Sequence, residues 1–443
     1  MVIPSYVVCL IEKLTAAGFR TAAVGGCVRD SLLGKTPHDW DLATAAPWQE
    51  VKALFSPEYS VIETGTQHGT VTILSADYPV EITTFRIDGD YSDGRHPDRV
   101  RFTNDLSEDL ARRDFTINAM AFDGDRIIDP FGGQTDLLSK TIRCVGNPKR
   151  RFQEDALRIL RALRFSSVLG FSIEENTACA IREQAASLSL ISAERVFSEL
   201  TKLLCGESVQ GVLLSFSDVF AHILPEIEPL IGLPQHNPHH CYDVWAHTVS
   251  TVANISPLPY LRLAALFHDT GKAVCRTTDS DGIDHFFGHA QLSEAYARRA
   301  LHRLKSDRKT LDAVCRLVKW HDIPVTDEER LILRRLRQFG TDFFFDLLAL
   351  KKADCMAKAP HPERLNLLQD IRKKAENLLL KDACFSRKDL AVSGRDLIEA
   401  GIPEGKAVGD GLKKLLDAVT DGRLPNEKSA LLTALPELLD MPR

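Results

Sequence analysis

The sequence predicts an α+β protein: a head built on a small mixed sheet over residues 1–145, followed by all-α domains. Three observations predict it. Short β-like runs at 21–24, 41–43, 71–74 and 80–85 alternate with helix-like segments at 6–17 and 47–55. Residues 154–165 have helix-forming composition, with Leu157, Leu160 and Leu163 as an apolar stripe. Beyond 231 the chain turns helical and histidine-rich. The expected domains are the head at 1–145, a helical neck at 146–230, a histidine-rich domain at 231–360 and a helical tail at 361–443.

The length, 443 residues, suits two to four domains, and the 44% hydrophobic share allows sizeable cores. The ten cysteines contain no Cys-X-X-Cys pair, so free thiols in a reducing cytoplasm are expected. The segment from Val2 to Phe19 is apolar but broken by Glu12 and Lys13, which predicts an amphipathic helix and not a signal peptide. No apolar run approaches the roughly 20 residues that cross a bilayer, so no membrane partner is expected. The net charge of −6 excludes a globally cationic surface, and any RNA contact must come from local basic patches.

The chemistry concentrates first in Gly25-Gly26-Cys27-Val28-Arg29-Asp30-Ser31-Leu32-Leu33-Gly34 and the following Asp39-Trp40-Asp41. Side chains at i and i+2 of a strand share a face, so Asp39 and Asp41 would together offer oxygen ligands to a pair of Mg²⁺ ions. Glycines after the strand at 21–24 let backbone N–H groups approach a polyphosphate, with Arg29 as a fixed cation. Asp-X-Asp alone is equally what a surface turn would show; its neighbours favour nucleotide chemistry. Gly34-Lys35-Thr36 imitates the end of a P-loop, but Arg29 stands where its first glycine should be. Glu81 opens a strand-like run and could face the aspartates as a third carboxylate.

In the neck, Asp155, Arg158 and Arg161 recur at i, i+3 and i+6, which would set them side by side on one helix. A carboxylate beside a guanidinium can accept from the exocyclic amine of C or A and donate to its ring acceptors, and uracil and guanine present the wrong groups. Arg161 and Arg164 are left for triphosphate or RNA. Ser192-Ala193-Glu194-Arg195 reads as a capped helix start. Farther on, His247, His268-Asp269, His289, His321 and Asp354 are imidazoles and carboxylates on separate helices, a donor set that suits a divalent transition metal.

Gly-Gly-X-X-Arg-Asp, Leu-Leu-Gly and Asp-X-Asp in this order resemble the signature of class II nucleotidyltransferases of the polymerase-β superfamily, the bacterial CCA-adding enzymes and poly(A) polymerases. The resemblance implies a polymerase-β-like head and template-independent addition of C, C and A to the tRNA 3′ end from CTP and ATP. It makes Asp39 and Asp41, with Glu81, the Mg²⁺ ligands. Arg112-Arg113-Asp114 matches the family's Arg-Arg-Asp motif, so Gly26, Arg29 and Arg112 would hold triphosphate and Asp114 the ribose 2′-OH. Glu154-Asp155-X-X-Arg158 matches its base-reading motif. Asp88–Pro97 resembles the flexible loop used in switching from C to A addition, which CC-only enzymes lack. The stretch from Leu390 to Leu416, with a glycine-rich turn entering a helix, resembles the family's tRNA-binding tail. Leu266-Phe267-His268-Asp269-Thr270-Gly271-Lys272 resembles the HD phosphohydrolase core, implying a metal held by the six His and Asp residues. Three other readings stay open: an A-adding tRNA enzyme, a poly(A) polymerase, and a protein that is chiefly an HD metal phosphohydrolase.

Overall fold

The computed structural model describes residues 2–76, 78–89, 99–236, 242–358, 360–380 and 387–439. Two compact units emerge, one comprising Met1–Glu228 with Arg303–Lys305, the other Pro229–His302 with Ser306–Arg443. No described helix is long and apolar enough to cross a membrane. Of the loop expected at 88–97, residues 90–97 lie outside the described residues.

The first unit begins with α1 (Ser5–Ala16), which buries Val7, Leu10, Ile11 and Leu14, one face at helical spacing. Its sheet contains β1 (Thr21–Val24), β2 (Trp40–Thr44), β3 (Ser60–Gly65), β4 (Thr70–Ser75) and β5 (Tyr78–Thr84). A separate ribbon pairs β6 (Arg86–Asp88) with β7 (Val100–Phe102), and β8 (Ala121–Phe122) and β9 (Ile127–Ile128) complete the sheet in the order β3-β4-β5-β2-β1-β8-β9. The sheet is mixed because β2 and β5 run parallel, with Asp41 opposite Glu81, while its other pairs are antiparallel. Alternation explains the central strands: Trp40, Leu42, Val80 and Ile82 are buried, which turns Asp41 and Glu81 to the other face.

Helices α2 (Gly26–Leu32), α3 (Trp48–Phe55), α4 (Leu106–Ala111) and α5 (Gly133–Leu138) surround this sheet. Asp39 precedes β2, so the two aspartates do not lie within one strand as expected; Asp39 is exposed in the turn that enters it.

The expected continuous helix at 154–165 is two helices, α6 (Pro148–Glu154) and α7 (Leu157–Leu169). Asp155 takes an extended backbone (φ −147°) and its carboxylate accepts from the Leu157 N–H, a local bond that competes with helix continuation. Leu157, Leu160 and Leu163 are buried as the stripe required. After α8 (Glu175–Glu183), α9 (Ala193–Leu204) packs on α7 through Val196, Leu200, Leu203 and Leu204. Ser192 sits at its start without the expected side-chain cap.

The second unit is built around the helices Val244–Asn254, Pro259–Phe267, Arg308–Trp320 and Thr341–Met356, which pack on one another. Helices Glu329–Phe339 and Pro362–Leu380 share a core of Ile332, Leu336, Phe344, Leu348 and Ile371. A last cluster joins Gly394–Glu399, Lys406–Thr420 and Lys428–Leu438. Gly405 (φ +105°) makes the turn into Lys406–Thr420 that the glycine-rich segment suggested. Two-residue ladders at Thr141–Ile142 with Ser172–Ile173, and Thr277–Thr278 with Asp284–His285, interrupt the otherwise helical part.

Candidate active site and metal centre

In the head, three carboxylates converge from two parallel strands and the turn before one of them. Burial, then the facing Glu81, then Asp39 push the Asp41 carboxyl up to about 6 against the opposing pull of Arg113. Like charges gathered with too little cationic compensation are what a hard divalent ion relieves, so this donor set fits Mg²⁺.

Beside them, Gly25 opens α2 at φ +81° and ψ −130°, backbone reserved for glycine. A Cβ there would also lie 2.9 Å from an Arg113 guanidinium nitrogen. Gly26 follows as the first residue of α2. The Nε of Arg113 is buried without a hydrogen bond, while its Nη2 lies 3.3 Å from Asp109. Arg29 is nearly buried, donates to Asn118 Oδ1 at 2.7 Å and to Asp30, and lies over the Phe165 ring at 5.0 Å. Arg112 donates to Asp109 Oδ1 at 2.8 Å and lies 3.7 Å from Asp88.

The neck side chains interlock with these through partners distant in sequence. Asp114 accepts from the Phe115 N–H and Asn118 on one oxygen and from Arg161 on the other, at 2.8 Å from Nε. Burial alone would raise its carboxyl, but Arg161 and Asn118 outweigh it and hold the group at about 2. Both oxygens of its carboxylate thus accept from protein donors. Arg161 and Arg164 both lie over Phe165, and Arg164 also donates to Glu199 at 2.5 Å.

The two base-reading candidates each have a further partner: Asp155 pairs with Arg195 at 2.9 Å and Arg158 with Glu154 at 2.7 Å. Arg158 also donates to the Arg112 carbonyl at 3.2 Å, tying the neck to the Arg112-Arg113-Asp114 turn. Arg113, Asn118, Phe165, Arg195 and Glu199 were not anticipated. The Arg112-Arg113 doublet made Arg113 as eligible as its neighbour; the other four act through long-range pairing that no local spacing announces.

In the second unit all six expected residues meet. His247 Nε2 lies 3.3 Å from Asp269 Oδ2 and 3.1 Å from Asp354 Oδ1, and His268 Nε2 lies 3.2 Å from Asp269 Oδ2. The other Asp269 oxygen lies 3.4 Å from His289 Nε2 and 3.8 Å from His321 Nε2. Asp269 therefore bridges two groups of donors, His247, His268 and Asp354 on one side, His289 and His321 on the other.

Each of the four imidazoles has Nδ1 against a backbone carbonyl: Ala357, Ala265, Phe286 and Val318 respectively. A neutral imidazole that donates from Nδ1 there has a lone pair on Nε2, while against its burial the hydrogen bonds to Asp269 and Asp354 favour the charged form of His247. His289 and His321 then face each other lone pair to lone pair at 3.1 Å, and burial with the neighbouring His268 holds the His321 imidazole down to about 3. Buried lone pairs aimed at a shared point fit a metal cation. Lys272 lies 2.8 Å from Asp269, and Lys358 lies 2.7 Å from Asp354.

The fold and head site define a class, the template-independent nucleotidyltransferases with a polymerase-type head. A family profile described as "Poly A polymerase head domain" matches residues 21–143, "Probable RNA and SrmB- binding site of polymerase A" matches 170–231, and "tRNA nucleotidyltransferase domain 2 putative" matches 277–435. The chain is 36% identical to the CCA-adding enzyme of Latilactobacillus sakei, over 96% of this chain and 96% of that one. With the CCA-adding enzyme of Levilactobacillus brevis it shares 35% identity over 97% and 96% of the two chains. The solved structure of the Bacillus stearothermophilus CCA-adding enzyme in complex with CTP superposes with a TM-score of 0.73, at 29% identity and 98% coverage of both chains. The chain belongs to the CCA-adding enzyme family.

Proposed function

We propose that this chain adds C, C and A to the tRNA 3′ end from CTP and ATP in the cytoplasm, releasing pyrophosphate. The observation that carries the reading is the parallel register of Asp41 against Glu81, with Asp39 at the strand entry, in a chain related end to end to CCA-adding enzymes. Asp39, Asp41 and Glu81 would hold Mg²⁺, which when bound lowers the pKa of the attacking 3′-hydroxyl and stabilises charge on the leaving pyrophosphate. The backbone of Gly26 and the side chains of Arg29, Arg112 and Arg113 bind the triphosphate.

Asp155 accepts from the exocyclic amine of C or A and Arg158 donates to the ring acceptors, with Arg195 and Glu154 orienting them. Asp114 serves as a positioning residue: it fixes Arg161 directly and Arg29 through Asn118. Arg164, held by Glu199, supports the same arginine layer on Phe165. We assign the head to 1–145, the neck to 146–230, the HD segment to 231–360 and the tRNA-binding tail to 361–443.

The test is incubation with tRNA ending at the discriminator base and each labelled NTP. Stepwise gain of three nucleotides supports the proposal. A gain confined to tRNA already ending in CC points to an A-adding enzyme, and long A-only products to a poly(A) polymerase; either overturns it.

A second reading accompanies the first because the bridged His/Asp cluster favours it. The HD segment would hold a transition metal and hydrolyse phosphate esters at RNA ends or on small nucleotides. Release of phosphate or opening of a cyclic phosphate, lost in His268→Ala, is the result that supports it.

A further inference from the structure

The second unit contains a cavity of about 940 Å³ between helix Glu329–Phe339 and helix Lys406–Thr420, formed by residues outside the His/Asp cluster. Its floor is apolar, with Val325, Ile332 and Phe344 from the local core. Its wall is cationic, with Arg334, Arg335, Arg337 and Arg423. The two wall carboxylates are already matched: Asp417 pairs with Arg337, and Asp421 with Arg330 and Arg423, each at 3.2 Å. Arg334 and Arg335 meet no carboxylate among the described residues; Arg335 donates only to Gln338 Oε1 at 2.8 Å. Burial, and the adjacent Arg334, disfavour the charged form of Arg335. Among the described residues, then, two neighbouring guanidiniums beside an apolar floor have no carboxylate partner.

We infer that this cavity is a second nucleotide-sized site, in which Arg334 and Arg335 bind the phosphates of a free nucleotide while the ring system rests on Val325, Ile332 and Phe344. Two features favour a free ligand over an RNA strand. The volume lies in the small-ligand range of roughly 300–1,000 Å³, and Asp417 and Asp421 already engage Arg337, Arg330 and Arg423, which leaves Arg334 and Arg335 for a short run of phosphates. Guanidinium forks match phosphate oxygens in pairs, which gives the two arginines more than simple charge attraction.

Equilibrium titration of the full chain with ATP, read by calorimetry, tests the inference. The wild-type chain should bind two ATP molecules, one in the head and one here. Arg334→Gln/Arg335→Gln should bind one at unchanged head affinity, its cavity affinity falling at least about ten-fold, the scale of one lost charge-assisted bond. Both side chains reach solvent, so an unchanged thermal unfolding profile verifies the fold. Inorganic pyrophosphate should compete for the lost site, and Arg334→Lys/Arg335→Lys should recover part of it. A single ATP per wild-type chain overturns the proposal. So does a double variant whose only change is weaker tRNA binding with a shallower salt dependence, which would mark the wall as an RNA contact.

Discussion

The proposed head chemistry turns on Asp41, a carboxyl whose ionisation is opposed by burial and by the facing Glu81. Asp41→Ala should lower CTP incorporation by about 10²–10³-fold or more, the scale of removing one preorganised charge-stabilising group, while His268→Ala leaves incorporation at the wild-type rate. The reverse pattern in a single-nucleotide assay would transfer the activity to the other unit. Asp114 makes a separate prediction about stability. Its carboxyl is held at about 2, below the ordinary 3.8, by Arg161 and Asn118 against its burial. A depressed carboxyl stabilises the fold above the unfolded pKa and loses that contribution as pH falls through the folded one. Urea unfolding should therefore show Asp114→Asn much less stable than wild type at pH 7, with the gap narrowing between about pH 4 and 2. A gap independent of pH would mean that Asp114 acts through shape and not through its charge.

The connection from β1 to α2 shows what an element demands of one position. Gly25→Ala would force an L side chain to φ +81° and into Arg113, at a cost of about 1–3 kcal/mol. The expected outcome is a lower urea midpoint together with a higher KM for CTP, because α2 carries Gly26 and Arg29. A change in stability alone would separate this turn from nucleotide binding. The end of the strand was legible in the sequence, since an apolar run followed by Gly-Gly marks where a strand stops, but the positive φ at Gly25 was not. The strand runs at 71–74 and 80–85 were equally plain, because alternation repeats every two residues and needs no distant partner. What local spacing hid was pairing across the chain. Asp155 with Arg195, Arg161 with Asp114 and Arg164 with Glu199 join residues about 35 to 47 positions apart, beyond the reach of any i,i+3 spacing. The break at Asp155 was hidden for a related reason: helix-forming composition is a weak prior, and one carboxylate–backbone bond overrode it.

Each compact unit closes its own candidate site with its own residues, the carboxylates Asp39, Asp41 and Glu81 in the first and the six His and Asp residues in the second. The donor chemistry also differs, all oxygen in the head and mostly imidazole in the other, so the two should select different metals. Chelator-stripped protein should regain nucleotidyl transfer with Mg²⁺ alone. Addition of Mn²⁺ or Zn²⁺ at about 100 times its dissociation constant should stabilise the second unit by about 2.7 kcal/mol, roughly 5–10 °C in its unfolding transition. Asp269→Asn should abolish most of that shift, since Asp269 serves both groups of donors, and should leave Mg²⁺-dependent CTP incorporation intact. Differential scanning calorimetry with elemental analysis of bound metal reads the first effect without any activity assay. An equal metal-induced shift in Asp269→Asn would show that the cluster is held by its own hydrogen bonds and lysine pairs. The Nε2 lone pairs of His289 and His321 argue against that result: the Phe286 and Val318 carbonyls hold these two imidazole protons on Nδ1 and leave a cation to satisfy the inner nitrogens.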